Sequence, residues 1–171
     1  GAILVRTTEP DATPSGRFRF SLAEYGKLQL GVAQNVPVSP HWTFRVAAEG
    51  LKRDGFNESA TGAEDVNAYD RWSLRITSRV SPQAVPELTI RLLGAYRDET
   101  LNPDGERVDV GGDDAFDRTT LPFLERNDGE AVSSTGGVDL LYDWPNNWRM
   151  KWENRWHEYD LHVPRRRDEA N

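Results

Sequence analysis

The stretch from Tyr69 to Asp98, "YDRWSLRITSRVSPQAVPELTIRLLGAYRD", reads as two strands joined by a turn. In its first arm Trp72, Leu74, Ile76 and Val80 share one parity, while Ser73, Arg75, Thr77 and Arg79 share the other. In its second arm Leu88, Ile90, Leu92 and Tyr96 alternate with Thr89, Arg91, Leu93 and Arg97. A period of two marks extended backbone, because successive side chains leave a pleated strand on opposite faces. Pro82 and Pro86 flank the connection, where a missing N–H donor is tolerated. The polar parity carries Arg75, Arg79, Arg91 and Arg97, more guanidinium than a dry layer can cover without unpaired charge. The other parity is aliphatic in mid-strand and aromatic at its ends. That pattern fits a strand with lipid on one side and a wet lumen on the other. It also fits a half-exposed antiparallel sheet with its apolar side on a core.

Similar alternation recurs outward from this hairpin. Phe18, Phe20 and Leu22 alternate with Arg17, Arg19 and Ser21; Leu28, Leu30 and Val32 with Gln29, Gly31 and Ala33. Trp42, Phe44 and Val46 alternate with Thr43, Arg45 and Ala47. Beyond residues 98–134, which have no convincing period, Val138, Leu140, Tyr142 and Trp144 alternate with Asp139, Leu141 and Asp143. Trp148, Met150, Trp152 and Trp156 then alternate with Arg149, Lys151, Glu153 and Arg155. This predicts about seven strands after a short first run, long enough for a tilted strand to cross a bilayer core at roughly 9–11 residues. No helix is predicted.

The connections sort by length. Those near residues 35–41, 81–87 and 145–147 are short and built on Pro or Asn, whereas 53–67 and 98–134 are long. From residue 35 onward short and long alternate, so the short ones share one rim; the short turn near Gly26 falls on the long-loop rim. Outer-membrane barrels have this asymmetry. The aromatics sort as well. Trp42, Trp144 and Trp148 abut short turns, and Tyr25, Tyr69, Trp72, Tyr96, Trp156 and Tyr159 sit toward the other rim. Two aromatic girdles around an aliphatic belt suit two lipid–water interfaces. Together these features favour the membrane barrel.

Composition sets the outer bounds. The chain has 171 residues, a formal net charge of −7 and no cysteine. The mean hydropathy of −0.71 excludes helical membrane spans but not a barrel, whose strands are only half apolar. The acidic balance argues against a nucleic-acid partner. Without cysteine, disulfides and thiolate metal sites are excluded. The opening "GAILVRTTEP" lacks the basic start and apolar core of a signal peptide, and the closing "RRRDEAN" has no barrel-closing element; both ends read as cuts through a larger chain.

Four segments resemble the TonB-dependent outer-membrane receptors. "GAILVRTTEP" is similar to the end of their plug domain, G-G-x-I-N-I-V-T-K-x-P, although Ile3, Leu4, Val5 and Arg6 replace its I-N-I-V core. "FRVAAEGLKRDGF" resembles an early barrel strand, and "NAYDRWSLRITSRVSP" the strand and turn that follow it. "YDWPNNWRMKWENRWHEYD" resembles a recurring barrel hairpin, with Pro145 and Asn146 where Ser-Asp is common. The resemblance implies an all-β, antiparallel up-and-down meander, part of a 22-stranded transmembrane β-barrel closed by a plug. Residues 1–10 would be the last plug strand and residues 11–171 the N-terminal part of the barrel. It further implies a bacterial outer-membrane location and a receptor and transporter role without catalysis. Partners would be outer-membrane lipid, the TonB complex through the plug, and a scarce substrate such as a ferric siderophore. The competing expectations are a small closed outer-membrane barrel with a structural or adhesive role, and a soluble β-sandwich binding module.

Candidate sites follow from parity. The lumen-facing set is Arg45, Glu49, Arg75, Arg91, Arg97, Lys151, Glu153 and Arg155, with Arg17, Arg19, Arg79 and Arg149 on the same parity. Ion pairing within the wall is the plain expectation for these groups. The functional alternative is that Arg97 and Arg155 attract an anionic chelate. The aromatic girdle set is Trp42, Tyr69, Trp72, Tyr96, Trp144, Trp148 and Trp156. His41, His157 and His162 lack metal-ligand spacing, and no nucleophile triad or phosphate loop is present, so no cofactor or metal is expected. The acidic run "DVGGDDAFD", 109–117, has oxygen ligands for Ca²⁺ but not the helix–loop–helix spacing, and a solvated outer loop is the simpler reading.

Overall fold

A computed structural model describes residues 7–55, 68–101 and 129–162. They form seven strands: β1 (Ser15–Ala23), β2 (Lys27–Ser39), β3 (Trp42–Arg53), β4 (Tyr69–Val80), β5 (Leu88–Leu101), β6 (Gly129–Asp143) and β7 (Arg149–His162). The strands lie in one sheet in chain order, each antiparallel to the next, with β1 and β7 as open edges. This is the all-β meander that the alternation predicts.

Two strands run further than alternation shows. β5 continues through Glu99 to Leu101, and β6 starts at Gly129, inside the stretch without a period. There the hydrophobic contrast fails: Ser133, Ser134, Gly136 and Gly137 offer neither face a marker, and the backbone ladder against Leu93 to Arg97 carries the strand instead. The 109–117 run and residues 1–6 of the expected plug strand lie outside the described residues. Thr7 to Pro10, the described part of that segment, is not in a strand.

Register decides which residues share a face. Every paired position joins two even or two odd residue numbers across all six ladders, except Ser39 with Trp42, where Val38 forms an irregularity. One face therefore collects the even positions of every strand and the other collects the odd ones. The even face holds Phe18, Phe20, Leu22, Leu30, Val32, Val46, Leu74, Ile76, Ile90, Leu92, Val138, Leu140 and Trp152. The odd face holds the arginines. A slip of one residue in any ladder would mix the two sets, so the apolar pattern and the register select one another.

In β2 the exposure is inverted relative to a water-soluble sheet, and β7 is exposed on both parities. In β2 the exposed positions are Leu28, Leu30, Val32 and Gln34, and the covered ones are Gln29, Gly31, Ala33 and Asn35. Phe18 is 70 % exposed and Ile76 45 %, and among the described residues Ala131 and Pro10 are the only buried apolar side chains. Burying a large apolar side chain is worth about 1.5–3 kcal/mol, so leaving this whole face in water would forfeit most of what stabilises an ordinary fold. From Trp72 to Val80 the apolar run of β4 spans about nine residues. At about 3.3 Å per residue and a tilt near 40°, that covers roughly 23 Å, close to the ~25 Å apolar band of membrane barrels.

The turns follow their residues. Tyr25 and Gly26 take left-handed backbone at φ 58° and 59°, turning β1 into β2. A side chain at Gly26 would also collide with the Asp54 carboxylate, whose backbone N–H donates to the Tyr25 carbonyl at 2.9 Å. Asn147, at φ 64°, closes the β6–β7 turn; the Trp144 N–H donates to the Trp148 carbonyl at 2.8 Å. Asn tolerates this conformation better than other residues with a side chain.

Candidate functional site

All eight of Arg45, Glu49, Arg75, Arg91, Arg97, Lys151, Glu153 and Arg155 stand on the odd face. Their surroundings differ between the two halves of the sheet. On β5 to β7 the cations are matched. Arg91 pairs with Glu9 at 2.7 Å, Lys151 with Glu153 at 2.6 Å, Arg97 with Glu99, and Arg155 with Asp139. Tyr69 also donates to Glu99 at 2.8 Å. On β3 and β4 Arg71 holds Glu49 at 2.7 Å. Arg17, Arg19, Arg45, Arg75 and Arg79 have no acidic partner among the described residues. The anionic-ligand role expected for Arg97 and Arg155 thus falls on groups already held by Glu99 and Asp139.

The Arg155–Asp139 pair is built by small neighbours. A side chain at Gly137 would stand 2.9 Å from Arg155 Cδ, so the glycine leaves room for the guanidinium to reach across. Asp139 is buried, and Arg155 donates to both of its oxygens. We expect Arg155→Ala to destabilise by about 1–2 kcal/mol, because it orphans a covered carboxylate. Adding Asp139→Asn should recover part of that loss. Urea midpoints of the folded protein measure this, and a double variant no better than the single one would contradict the pairing.

The segment before β1 lies on the same face. Asn35, 1 % exposed, donates from Nδ2 to the Asp11 carbonyl at 2.9 Å, the Thr13 carbonyl at 2.6 Å and Asp11 Oδ1 at 3.1 Å. Its Oδ1 accepts from the Asp11 N–H at 3.2 Å, and Asp11 Oδ1 accepts from the Thr13 N–H at 2.8 Å, an Asx turn. Pro10 is fully buried, and Glu9 reaches Arg91 on β5. The strap therefore crosses from β2 to β5, about 14 Å at three strand spacings. It does so beside the short turns, since Asn35 lies near the end of β2 and Arg91 near the start of β5. Sequence reading missed Asn35. Its signal is an amide on the odd parity of β2, next to Gly31 and Ala33, with the turn-former Asp11 upstream.

Of the aromatic set, Trp42, Trp72, Tyr96 and Trp156 stand on the even face, and Trp144 and Trp148 lie exposed at the β6–β7 turn. Tyr69 stands on the odd face, where the Arg71 guanidinium sits 5.9 Å from its ring centre. Trp72 and Tyr96 rings are 4.8 Å apart, and the indole N–H groups of Trp42 and Trp72 donate to Ser78 at 2.9 Å and Asp98 at 3.2 Å. The ring of Trp156 lies over Gly136, where an added Cβ would come within 2.7 Å of it. Amphipathic rings with a satisfied polar end suit a boundary between oil and water.

Among the described residues no group of acids and histidines has metal-binding geometry. Among the described residues no helix is long and apolar enough to cross a membrane, which says nothing of crossing by strands. No family model, curated protein or solved structure matches this chain.

Proposed function

We propose that this chain is a section of the wall of a TonB-dependent outer-membrane receptor, with lipid against the even face and a wet lumen against the odd one. The observation that carries the reading is an uncovered apolar face: Phe18, Val32, Ile76, Leu92 and Trp152 stand exposed together on the even side, while the arginines share the odd one. Three features support it further. The sheet is a single open layer with two free edges, as a section of a larger barrel would be. The strands are long. The strap enters along the polar face at the rim of the short turns, where a plug lying inside a barrel would hand the chain to the wall. On this reading the protein imports a scarce substrate, most simply a ferric chelate, in the outer membrane, and performs no catalysis.

Tryptophan quenching by brominated lipid tests the wall. Trp72, Trp152 and Trp156 lie on the even face, so vesicles of bromine-substituted phospholipid should quench the emission strongly. Emission indifferent to bromine, from a chain that is monomeric without detergent, would overturn the reading. Transport is tested separately in cells under iron starvation. Deleting the gene should abolish energised uptake of an iron chelate, and unchanged uptake of every chelate offered would remove the transport role.

A further inference from the structure

The odd face of β1 to β4 carries a groove of about 330 Å³ lined by Arg17, Arg19, Arg75 and Glu49 over a floor that includes Gly31, Ala33, Ala47 and Ser73. Arg17 pairs in register with Ala33, Ala33 with Ala47, and Ala47 with Arg75. Two arginines thus face each other across a pair of alanines, about 14 Å apart at their backbones. The next row adds Arg19 beside Gly31 and Glu49. The short floor residues leave open the space between the guanidinium arms.

The charges are not balanced. Glu49 is the only acid lining the groove, and Arg71 already holds it at 2.7 Å. Arg17, Arg19 and Arg75 have no acidic partner among the described residues, in contrast to the matched cations of β5 to β7. Guanidinium forks match carboxylate and phosphate oxygens two at a time, and like charges held together on one wall gain most from an anion that bridges them. A volume near the lower end of small-molecule sites selects a compact ligand.

We infer that this groove binds a small polyanion carrying two or more carboxylate or phosphate groups, clamped between Arg17 and Arg19 on one side and Arg75 on the other. The inference rests on the wall reading and requires in addition that the plug leave this part of the odd face open to solutes.

Calorimetric titration of the detergent-solubilised protein with inorganic pyrophosphate tests it. Saturable binding is expected, weakening with salt. Arg75→Ala and Arg17→Ala should each weaken it about tenfold, as expected for one charge-assisted contact. Arg75→Lys keeps the charge but loses the fork, so it should fall between. Lys52→Ala removes the same charge from the even face and should leave binding unchanged. The bromine-quenching signal, read on each variant, certifies its fold. Equal affinity in Lys52→Ala and Arg75→Ala, or no saturable binding by a protein that is still quenched by lipid, overturns the polyanion site and leaves the wall reading intact. Saturation by an acidic peptide but not by pyrophosphate also overturns it, assigning the groove to a protein segment. Loss of lipid quenching in the unmodified protein would instead strike the wall reading.

Discussion

On the proposed wall reading, Ile76→Arg is expected to destabilise the protein by about 2–4 kcal/mol, the cost of a cation at the middle of a barrel's lipid face. Ile76 lies in the middle of β4 on the even face, flanked in register by Val46 and Gly94. It is 45 % exposed, so in a water-soluble sheet the same change would touch little and stay within about 0.5 kcal/mol. The two media predict effects that differ severalfold for one substitution. Thr77→Glu is the matched comparison. It adds a charge one residue along, on the other face, opposite Arg45 in the ladder, and should be nearly neutral. Urea titration followed by a folded-barrel mobility shift measures both. Similar small effects for Ile76→Arg and Thr77→Glu would place water on both faces and end the membrane reading.

Asn35→Ala should release the strap while leaving the sheet folded. The side chain makes four hydrogen bonds to Asp11 and Thr13 and is covered from solvent. The amide has two N–H hydrogens for three acceptors, so these contacts amount to three full bonds, and at about 1 kcal/mol each a local loss near 3 kcal/mol follows. Amide exchange at Asp11 should then accelerate by about 100-fold, while amides in mid-β4 change little. Asn35→Asp should be at least as damaging despite its similar shape. It replaces the donor by an acceptor and sets a carboxylate against Asp11 and the two carbonyls. Unchanged protection at Asp11 in either variant would show that Pro10 and the Glu9–Arg91 pair hold the strap without the amide.

Much of the architecture was legible before any coordinates. The alternation of Trp72 to Val80 against Arg71 to Arg79 made β4 a strand, and its repeats made the meander. Parity alone put Arg45, Glu49, Arg75, Arg91, Arg97, Lys151, Glu153 and Arg155 together, because the period of a strand is two and every ladder here keeps even with even. Parity also sets Tyr69 apart from the other aromatics of the girdle set: it is odd, and it stands with the arginines. The first half of β6 was not legible, since glycine and serine mark neither face and only pairing with β5 makes them a strand.

The alternation of residue types by itself determined that this chain forms long antiparallel strands with one oily and one charged side; side-chain direction in a strand is a local property of backbone geometry. Which charges are spent and which remain free was decided by tertiary structure alone. Arg155 finds Asp139 on the neighbouring strand, Arg91 finds Glu9 from a strap that crosses three strand spacings, and Arg17 and Arg75 meet only alanines between them. Charge pairing depends on distances across the sheet, and those are set by register and by where the strap lies, neither of which is written in the neighbours of any one residue.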